Sequence, residues 1–219
     1  MASKNYFITG TDTGIGKTVV ATTFAYGSQA NYWKPIHTGT KEDSDSAFVG
    51  QWVGFEKIHP EAYRFPEPLS PHLAAKHAGS KIELEQCLEK FRELPRPLIV
   101  EGAGGVLVPI NDQFLMIDLI QAIDFPVIVV ASTRLGTINH TLLTLEALRA
   151  RKIQIAGVVF SGLKNQENSD SIANYGNVHI LGTIPHCDSF TKNWFQTSYE
   201  KLKFSRLNQM PIERKLCQT

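Results

Sequence analysis

The chain has 219 residues, 42% of them hydrophobic, which is enough to bury the core of one large α/β domain. Its 22 Lys and Arg residues nearly balance 21 Asp and Glu residues, so no overall charge attracts it to nucleic acid or to an anionic membrane. Any anion that it binds must therefore be held by a local site.

The three cysteines, Cys87, Cys187 and Cys217, lie far apart and lack C-x-x-C spacing. This pattern argues against a disulfide framework, a zinc site or a redox pair. Too few apolar residues follow Lys4 for a signal sequence, and no apolar run approaches the roughly 18 residues of a membrane span. We expect a soluble, cytoplasmic protein that binds neither nucleic acid nor membrane.

Short apolar runs alternate with helix-patterned segments along the chain, which favours a doubly wound, mostly parallel α/β sheet with helices on both faces. Strands are predicted at 6–9, 32–36, 98–100, 127–131, 155–160 and 178–184. Helices are predicted at 17–30, 82–94, 116–123 and 141–151. We expect one domain over residues 1–219, with a weakly specified helix and tail from about residue 190.

The strongest chemical signal is the segment 10–18, GTDTGIGKT, because it follows a predicted strand and opens a predicted helix. Gly14 and Gly16 permit close approach of the backbone to a polyphosphate, and the helix N-terminus adds positive charge. Lys17 supplies an ammonium and Thr18 a hydroxyl for magnesium. The segment is therefore predicted to bind a nucleotide phosphate.

This segment departs from the motif G-x-x-x-x-G-K-[ST], because Thr11 stands at the first glycine position and the glycine lies at Gly10. It resembles the loop of deviant P-loop enzymes, although Asp12 stands where many of them have a signature lysine. The alternative is a glycine-rich turn that begins with a capping threonine.

Two further charged positions each allow two interpretations. Lys34 ends a predicted strand beside the phosphate loop, where open α/β sheets place their ligands, but by itself it fits a solvated charge at a strand end. Asp43 and Asp45 precede a helix, as N-cap residues do. Alternatively, Asp45 approaches magnesium, which prefers carboxylate oxygens and water.

The segment 97–105, PLIVEGAGG, is an apolar strand that ends at Glu101 and continues into a predicted glycine loop. It resembles a Walker B strand, in which the terminal acid reaches the metal. No G-x-G-x-x-G opens a helix here, so the glycines favour approach to a reacting phosphate over dinucleotide binding.

A last motif, 135–140, precedes the predicted helix from Thr141. A helix N-terminus there would hold an anion such as a carboxylate. Ordinary capping explains Thr137 and Asn139 equally well, and a lone residue such as His140 is more often a surface or capping residue than a base.

Together these motifs resemble dethiobiotin synthetase over about the first 145 residues and again at 181–185. The matching set, in chain order, is G-T-D-T-x-x-G-K-T, K-P-x-x-x-G from Lys34, S-P-H at 70–72, E-G-A-G-G from Glu101 and L-G-x-I-N-H from Leu135. The resemblance implies a P-loop ligase that makes dethiobiotin from 7,8-diaminononanoate, carbon dioxide and ATP with magnesium. It also implies a homodimer with its sites near the subunit interface.

The resemblance implies a role for each matching residue. Catalytic roles fall to Lys17, Lys34 and Thr11, and magnesium ligation to Thr18, Asp45 and Glu101. The nucleotide would contact Asp12, Thr13, Gly14, Ile15, Gly16, Lys17, Thr18, Asp45, Glu101, Gly102, Ala103, Gly104, Ser161, Pro185 and His186. The substrate would contact Thr11, Lys34, Thr38, Gly136, Thr137, Ile138 and Asn139, the last four holding its carboxylate from the neighbouring subunit.

Two departures from the family pattern stand out. Thr38 replaces an expected serine and keeps the hydroxyl. Ser161 and Gly162 replace an expected Asn-Asp pair that reads the adenine edge, and the segment 161–181 is abbreviated. We therefore expect weak discrimination among nucleotide bases, unless backbone groups near Pro185 and His186 recognise adenine.

Two other functions compete with this interpretation. A partitioning-type nucleotide switch would share the fold, but it would carry the signature lysine that Asp12 replaces, and it has no need of the K-P-x-x-x-G cluster. An amide-forming ligase of cobyrinate type usually carries a glutamine-hydrolysing domain, for which this chain has no room.

Overall fold

A computed structural model describes residues 5–40 and 44–202 of the chain. Its strands are β1 Tyr6–Gly10, β2 Asn31–Trp33, β3 Ile36–Thr38, β4 Ile58–His59, β5 Tyr63–Phe65, β6 Leu98–Gly105, β7 Val127–Ser132, β8 Ile155–Ser161 and β9 Ile180–Ile184. Its α-helices are α1 Lys17–Ser28, α2 Asp45–Val53, α3 Pro71–His77, α4 Leu84–Glu93, α5 Met116–Ile123, α6 Thr137–Ala150, α7 Gln166–Gly176 and α8 Lys192–Glu200. None of these helices has the length and apolar character that crossing a membrane requires.

The main sheet has seven parallel strands in the order β4-β2-β6-β1-β7-β8-β9, and β3 and β5 form a small second sheet. Helices cover both faces, so consecutive residues of one strand enter different cores. Phe7 lies in one core, together with residues of α3 to α7, whereas Ile8 lies in the other, together with residues of α1, α2 and α8. This double burial explains the nearly all-apolar strands and confirms the predicted doubly wound fold.

The predicted strand 32–36 is wrong in its second half. Pairing with β6 ends at Trp33, and the chain resumes as β3 at Ile36, which pairs with β5 instead. Pro35 lies between them and has no N–H to donate to a sheet ladder. The break places Lys34 at the carboxyl end of β2, next to β6.

Several boundaries also differ from the sequence prediction. Helix α6 begins at Thr137 rather than at 141, and α1 ends at Ser28 because Gln29 is left-handed with φ 57°. The predicted glycine loop after Glu101 is strand as far as Gly105, which pairs with β1. The predicted C-terminal helix corresponds to α8, and the tail predicted beyond it falls largely on residues 203–219, outside the described residues.

The carboxyl ends of β1, β6 and β2 meet at one edge of the sheet. Strand β6 lies between the other two, with Ile8 opposite Glu101 and Trp33 opposite Val100. Parallel strands place their carboxyl ends on the same side, so the phosphate-loop segment, Glu101 and Lys34 converge there.

Candidate active site

The segment between β1 and α1 has the geometry of an anion-binding loop. Gly14 and Gly16 have φ values of 64° and 89°, in the left-handed region that favours glycine. Gly16 is the N-cap of α1, so no threonine caps this helix. Without a side-chain cap, the first N–H groups of α1 are free to bind an anion.

The ammonium of Lys17 is buried at the beginning of α1. It donates a hydrogen bond to the backbone oxygen of Asp12 at 2.7 Å, which curls the loop back over the helix N-terminus. Burial lowers the pKa of Lys17 to about 8, although Glu101 opposes the shift. An anionic ligand beside this ammonium would favour its charged form.

The ammonium of Lys34 forms ion pairs with Asp45 Oδ2 and, at 3.1 Å, with Glu101 Oε1. Its side chain is 7% exposed, so the interpretation as a solvated strand-end charge is wrong. Burial by itself would lower the pKa of Lys34, but the two carboxylates outweigh it and raise the pKa above its ordinary value. Lys34 is therefore a fixed positive charge at the sheet edge.

Three oxygen atoms from different elements converge beside these lysines. The hydroxyl of Thr18 lies 2.7 Å from Asp45 Oδ1 and 3.0 Å from Glu101 Oε1. A hydroxyl has one proton, so it can donate to only one of these two acceptors at a time. This surplus of oxygen acceptors fits a hard cation such as magnesium.

These oxygens would make only part of a magnesium shell. Among the described residues, no group of three or more His, Cys, Asp or Glu side chains is arranged to hold a metal. Two carboxylates and a hydroxyl leave positions for water and phosphate oxygens, which is how magnesium is commonly bound with nucleotides.

At the beginning of α2, one residue caps the helix and the next contacts the site. Ser44 is the N-cap, and its hydroxyl oxygen accepts from Ala47 N at 3.2 Å. Asp45 is the first helical residue and turns toward Lys34 and Thr18. Burial would raise the pKa of Asp45, but Lys34 and Thr18 hold it below its ordinary value. The N-cap interpretation of Asp45 is therefore wrong, and Asp43 lies outside the described residues.

Buried polar residues that the sequence analysis did not single out support the two carboxylates. The Tyr32 hydroxyl donates to Glu101 Oε2 at 2.8 Å. His37 Nε2 lies 3.7 Å from Asp45 Oδ2, and its Nδ1 lies 3.4 Å from Glu61 Oε1. One feature of the sequence could have identified Tyr32. Side chains alternate along a strand, so residues 32 and 34 are expected on the same side.

A cavity of about 290 Å³ unites most of the predicted nucleotide and metal residues. It is lined by Thr13, Gly14, Gly16, Lys17, Thr18, Lys34, Thr38, Asp45, Glu101, Ala103 and Gly104. Ile15 and Gly102 do not line it. The arrangement places two ammonium groups and a set of oxygen ligands around one small space, as transfer of a phosphoryl group requires.

A second cavity of about 470 Å³ adjoins the first through Thr13. It is lined by Thr11, Asp12, Thr13, Gly105, Val106, Leu107, Val108, Pro109, His140, Leu143 and Thr144. Much of this lining is apolar. Thr11 therefore faces a different, more apolar space than the two lysines.

The remaining predicted residues lie outside both cavities. Residues 136–139 form the beginning of α6, where the N-cap is Gly136 and no side chain caps the helix. The Thr137 hydroxyl donates to Ser132 O at 2.6 Å. Ser161 ends β8 beside the phosphate loop. Its hydroxyl oxygen lies so close to Gly16 that a Cβ atom at position 16 would come within 2.3 Å of it. Pro185 and the exposed His186 follow β9.

Comparison with known proteins identifies relatives over most of the chain. Residues 4–193 match a family model described as an AAA domain. The ATP-dependent dethiobiotin synthetase BioD of Paramagnetospirillum magneticum is 46% identical over 181 residues, covering 83% of this chain and 87% of the relative. The enzyme of the same name from Lawsonia intracellularis is 45% identical, covering 85% and 90%.

Among solved structures, a ParA family ATPase from Chlorobium tepidum TLS is similar, with a TM-score of 0.54. The match covers 92% of this chain and 91% of that one, at 12% sequence identity. At this identity the similarity shows a common fold and nothing more.

Proposed function

Since the chain belongs to the ATP-dependent dethiobiotin synthetase family, we propose how its two cavities divide the work of that reaction. The protein is an ATP-dependent ligase of biotin biosynthesis that forms dethiobiotin. The observation that carries the proposal is the pair of buried ammonium groups, Lys17 and Lys34, beside the uncapped N-terminus of α1.

The nucleotide phosphates would lie in the first cavity, against the backbone N–H groups of 13–18. The Lys17 ammonium would leave Asp12 O for a phosphate oxygen, a charge-assisted contact that is stronger than one to a neutral carbonyl. Thr18, Asp45 and Glu101 would hold magnesium, which supplies positive charge at the phosphate oxygens when bound.

The reaction would begin when one amine of diaminononanoate adds to carbon dioxide and loses a proton, forming a carbamate. A carbamate oxygen then attacks the γ-phosphorus and ADP leaves. The second amine attacks the carbonyl carbon of the phosphorylated carbamate, phosphate leaves, the amine loses a proton and the ureido ring closes. The first two steps gather negative charge in one place, so the protein must mainly position and neutralise it.

Lys34 is suited to that task because Asp45 and Glu101 keep it protonated. We assign it to electrostatic stabilisation of the carbamate and the transferring phosphoryl group rather than to proton transfer. The hydroxyls of Thr38, at the first cavity, and Thr11, at the second, would orient the carbamate and the amines.

The alkyl chain of diaminononanoate would lie in the second cavity, whose lining includes Val106, Val108 and Leu143. Its carboxylate needs a separate anion site. The uncapped beginning of α6, residues 136–139, offers one, yet it lies outside both cavities of this chain. A homodimer in which the partner supplies this helix end would complete the site, and exposed Leu107 and Leu143 are suited to such an interface.

The switch hypothesis has less support than the ligase. The similarity to ParA, at 12% identity, concerns the fold, whereas relatives that are 45–46% identical over most of their own length are named ATP-dependent dethiobiotin synthetase. We also propose that the protein works in the cytoplasm, which agrees with the unpaired state of Cys87 and Cys187.

The test is to incubate the protein with diaminononanoate, carbon-13-labelled bicarbonate, magnesium and ATP. We expect dethiobiotin with the label in its ureido carbonyl by mass spectrometry, and one ADP for each product. Lys17→Ala serves as the inactive control. Phosphate release that depends on DNA instead of diaminononanoate, with no dethiobiotin, would favour the switch.

A further inference from the structure

The two oxygens of the Glu101 carboxylate have different partners. Oε1 lies 3.0 Å from the Thr18 hydroxyl and 3.1 Å from the Lys34 ammonium, so it faces the cavity. Oε2 accepts from the Tyr32 hydroxyl at 2.8 Å. Glu101 and Tyr32 are both buried, so the Tyr32 hydroxyl supplies the hydrogen bond that water would supply to a carboxylate at the surface.

The sheet register explains why Tyr32 reaches Glu101. Strand β2 lies parallel to β6 with Tyr32 opposite Ile99 and Trp33 opposite Val100. Side chains alternate between the two faces, so Tyr32, Ile99 and Glu101 share one face and Trp33 enters the other core. The long tyrosine side chain then spans the distance to a carboxylate two residues further along β6.

Tyr32 lines neither cavity, so it does not reach a bound substrate. Its influence on the reaction must pass through Glu101. A carboxylate that is held at one oxygen cannot rotate freely. Loss of a partner that orients a metal ligand in this way typically lowers metal affinity or activity by about 10–100-fold.

We propose that Tyr32 is a positioning residue that holds Glu101 Oε1 toward Thr18 and thereby sets the affinity of the site for its divalent cation. The inference rests on the proposed role of Glu101 as a magnesium ligand. Tyr32→Phe keeps the ring and its packing but leaves Oε2 of a buried carboxylate without this donor. Glu101 then keeps its Oε1 contacts with Thr18 and Lys34 but loses the contact that fixes Oε2, so its orientation toward the cation is less well defined and its affinity for the cation falls.

The experiment titrates Mn²⁺, as a paramagnetic substitute for magnesium, into protein that holds a non-hydrolysable ATP analogue. Free Mn²⁺ is measured by electron paramagnetic resonance, so no turnover is needed. The variants are Tyr32→Phe, Glu101→Gln and the double variant. Tyr63→Phe is the matched control, because its hydroxyl also donates to a side-chain oxygen, that of Gln86, but lies outside both cavities.

We expect Tyr32→Phe to raise the dissociation constant for Mn²⁺ about tenfold and Tyr63→Phe to leave it unchanged. Glu101→Gln should raise it further, and adding Tyr32→Phe to Glu101→Gln should have no additional effect, because the two residues act as one unit. If Tyr32→Phe is too unstable to titrate, the shift of its melting temperature with Mn²⁺ concentration reports the same affinity.

Two other results distinguish failure of the positioning role of Tyr32 from failure of the proposed metal role of Glu101. If Glu101→Gln weakens Mn²⁺ binding and Tyr32→Phe does not, the positioning role is wrong and the metal role of Glu101 stands. If Glu101→Gln leaves binding unchanged, the metal role itself is wrong and the inference fails with it. Fully additive effects of the two substitutions would also overturn the inference, since they indicate independent actions on the fold.

Discussion

The ammonium of Lys34 lies 3.1 Å from Oε1 of Glu101, and the exposed fractions of the two side chains are 7% and 1%. Strands β2 and β6 are neighbours in the sheet, so this contact is a consequence of strand order. A lysine and a glutamate that are 67 positions apart in the sequence form one charged unit at the edge where the phosphate loop begins.

Replacing either buried lysine should remove most of the activity without unfolding the protein. We expect Lys34→Ala and Lys17→Ala each to lower kcat/KM for dethiobiotin formation about a hundredfold, because each removes a preorganised cation worth about 3 kcal/mol in the transition state. Product is measured by mass, and circular dichroism checks the fold.

Lys81→Ala is the control, since its side chain is 55% exposed and pairs with a surface glutamate. It should leave kcat/KM unchanged. Near-normal turnover by Lys34→Ala would show that this buried charge is structural and that catalysis relies on other groups.

Asp45 and its neighbour Ser44 should affect different properties of the protein. Asp45→Asn and Glu101→Gln are expected to raise the magnesium concentration needed for half-maximal activity, because each weakens an oxygen ligand. Ser44→Ala is expected to lower stability by about 1 kcal/mol through loss of the α2 cap, with an unchanged magnesium titration.

Thermal melts and magnesium titrations of the three variants are compared side by side. An Asp45→Asn variant that is merely less stable, with a wild-type magnesium requirement, would contradict the ligand role. A shifted magnesium requirement in Ser44→Ala would mean that the cap and the site are coupled.

The sequence predicted the parts of the site that depend on local motifs. The phosphate loop at Lys17 and the carboxylate of Glu101, which follows the apolar run of β6, follow from residue type and spacing. The environment of Lys34 was not predictable in the same way, because burial and pairing depend on which strands are adjacent. Sheet order is not encoded in any short segment.

The supporting residues were missed for the same reason. Tyr32 stands in an apolar strand and fits a core residue equally well, until β6 brings Glu101 beside it. His37 and Glu61 belong to segments whose pairing depends on the small β3–β5 sheet, which the sequence analysis did not predict. Helix α3 was not predicted, and for α2 only a beginning near Asp45 was, since short helices carry little periodicity.

Glu61 should contribute stability that disappears in acid. Burial would raise the pKa of Glu61, but hydrogen bonds from His37 and Ser46 lower it from 4.5 to about 2. A carboxylate with a lowered folded-state pKa stabilises the protein above about pH 4.5, and this contribution is lost as the pH falls toward 2.

Urea unfolding of the wild type and Glu61→Gln is measured from pH 7 to pH 3. We expect the wild type to be more stable by about 1–2 kcal/mol near neutrality, less than the full shift implies because water screens a partly solvated group. The difference should shrink below about pH 4.5. A difference that stays constant down to pH 3 would show that the carboxylate charge is not responsible.

The last prediction concerns the base of the nucleotide. Ser161 has one short hydroxyl, which lies against the phosphate loop. The hydroxyl oxygen is so close to Gly16 that a Cβ atom at that position would lie 2.3 Å from it. Gly162 has no side chain and a φ of 127°, a conformation in which a larger residue would be strained. Neither residue can make the paired donor and acceptor contact that reads the edge of adenine.

Most of the affinity for nucleotide should instead come from groups that ignore the base. The N–H groups at the beginning of α1, the Lys17 ammonium and the oxygen ligands of the cation all contact phosphate or metal. A bidentate base contact discriminates by about 1–3 kcal/mol in DNA readout, so its absence lowers selectivity without abolishing binding.

We therefore expect ATP to be a competent donor while GTP and CTP support measurable turnover. The measurement is kcat/KM for the three nucleotides in the wild type and in Ser161→Asn, which restores one amide side chain and should increase the preference for ATP. Ser189→Asn, in the loop after β9, is the control for a general effect of an added amide. A wild-type preference for ATP above about a thousandfold, roughly 4 kcal/mol, would contradict the prediction, because it requires strong base readout from groups such as the backbone near Pro185.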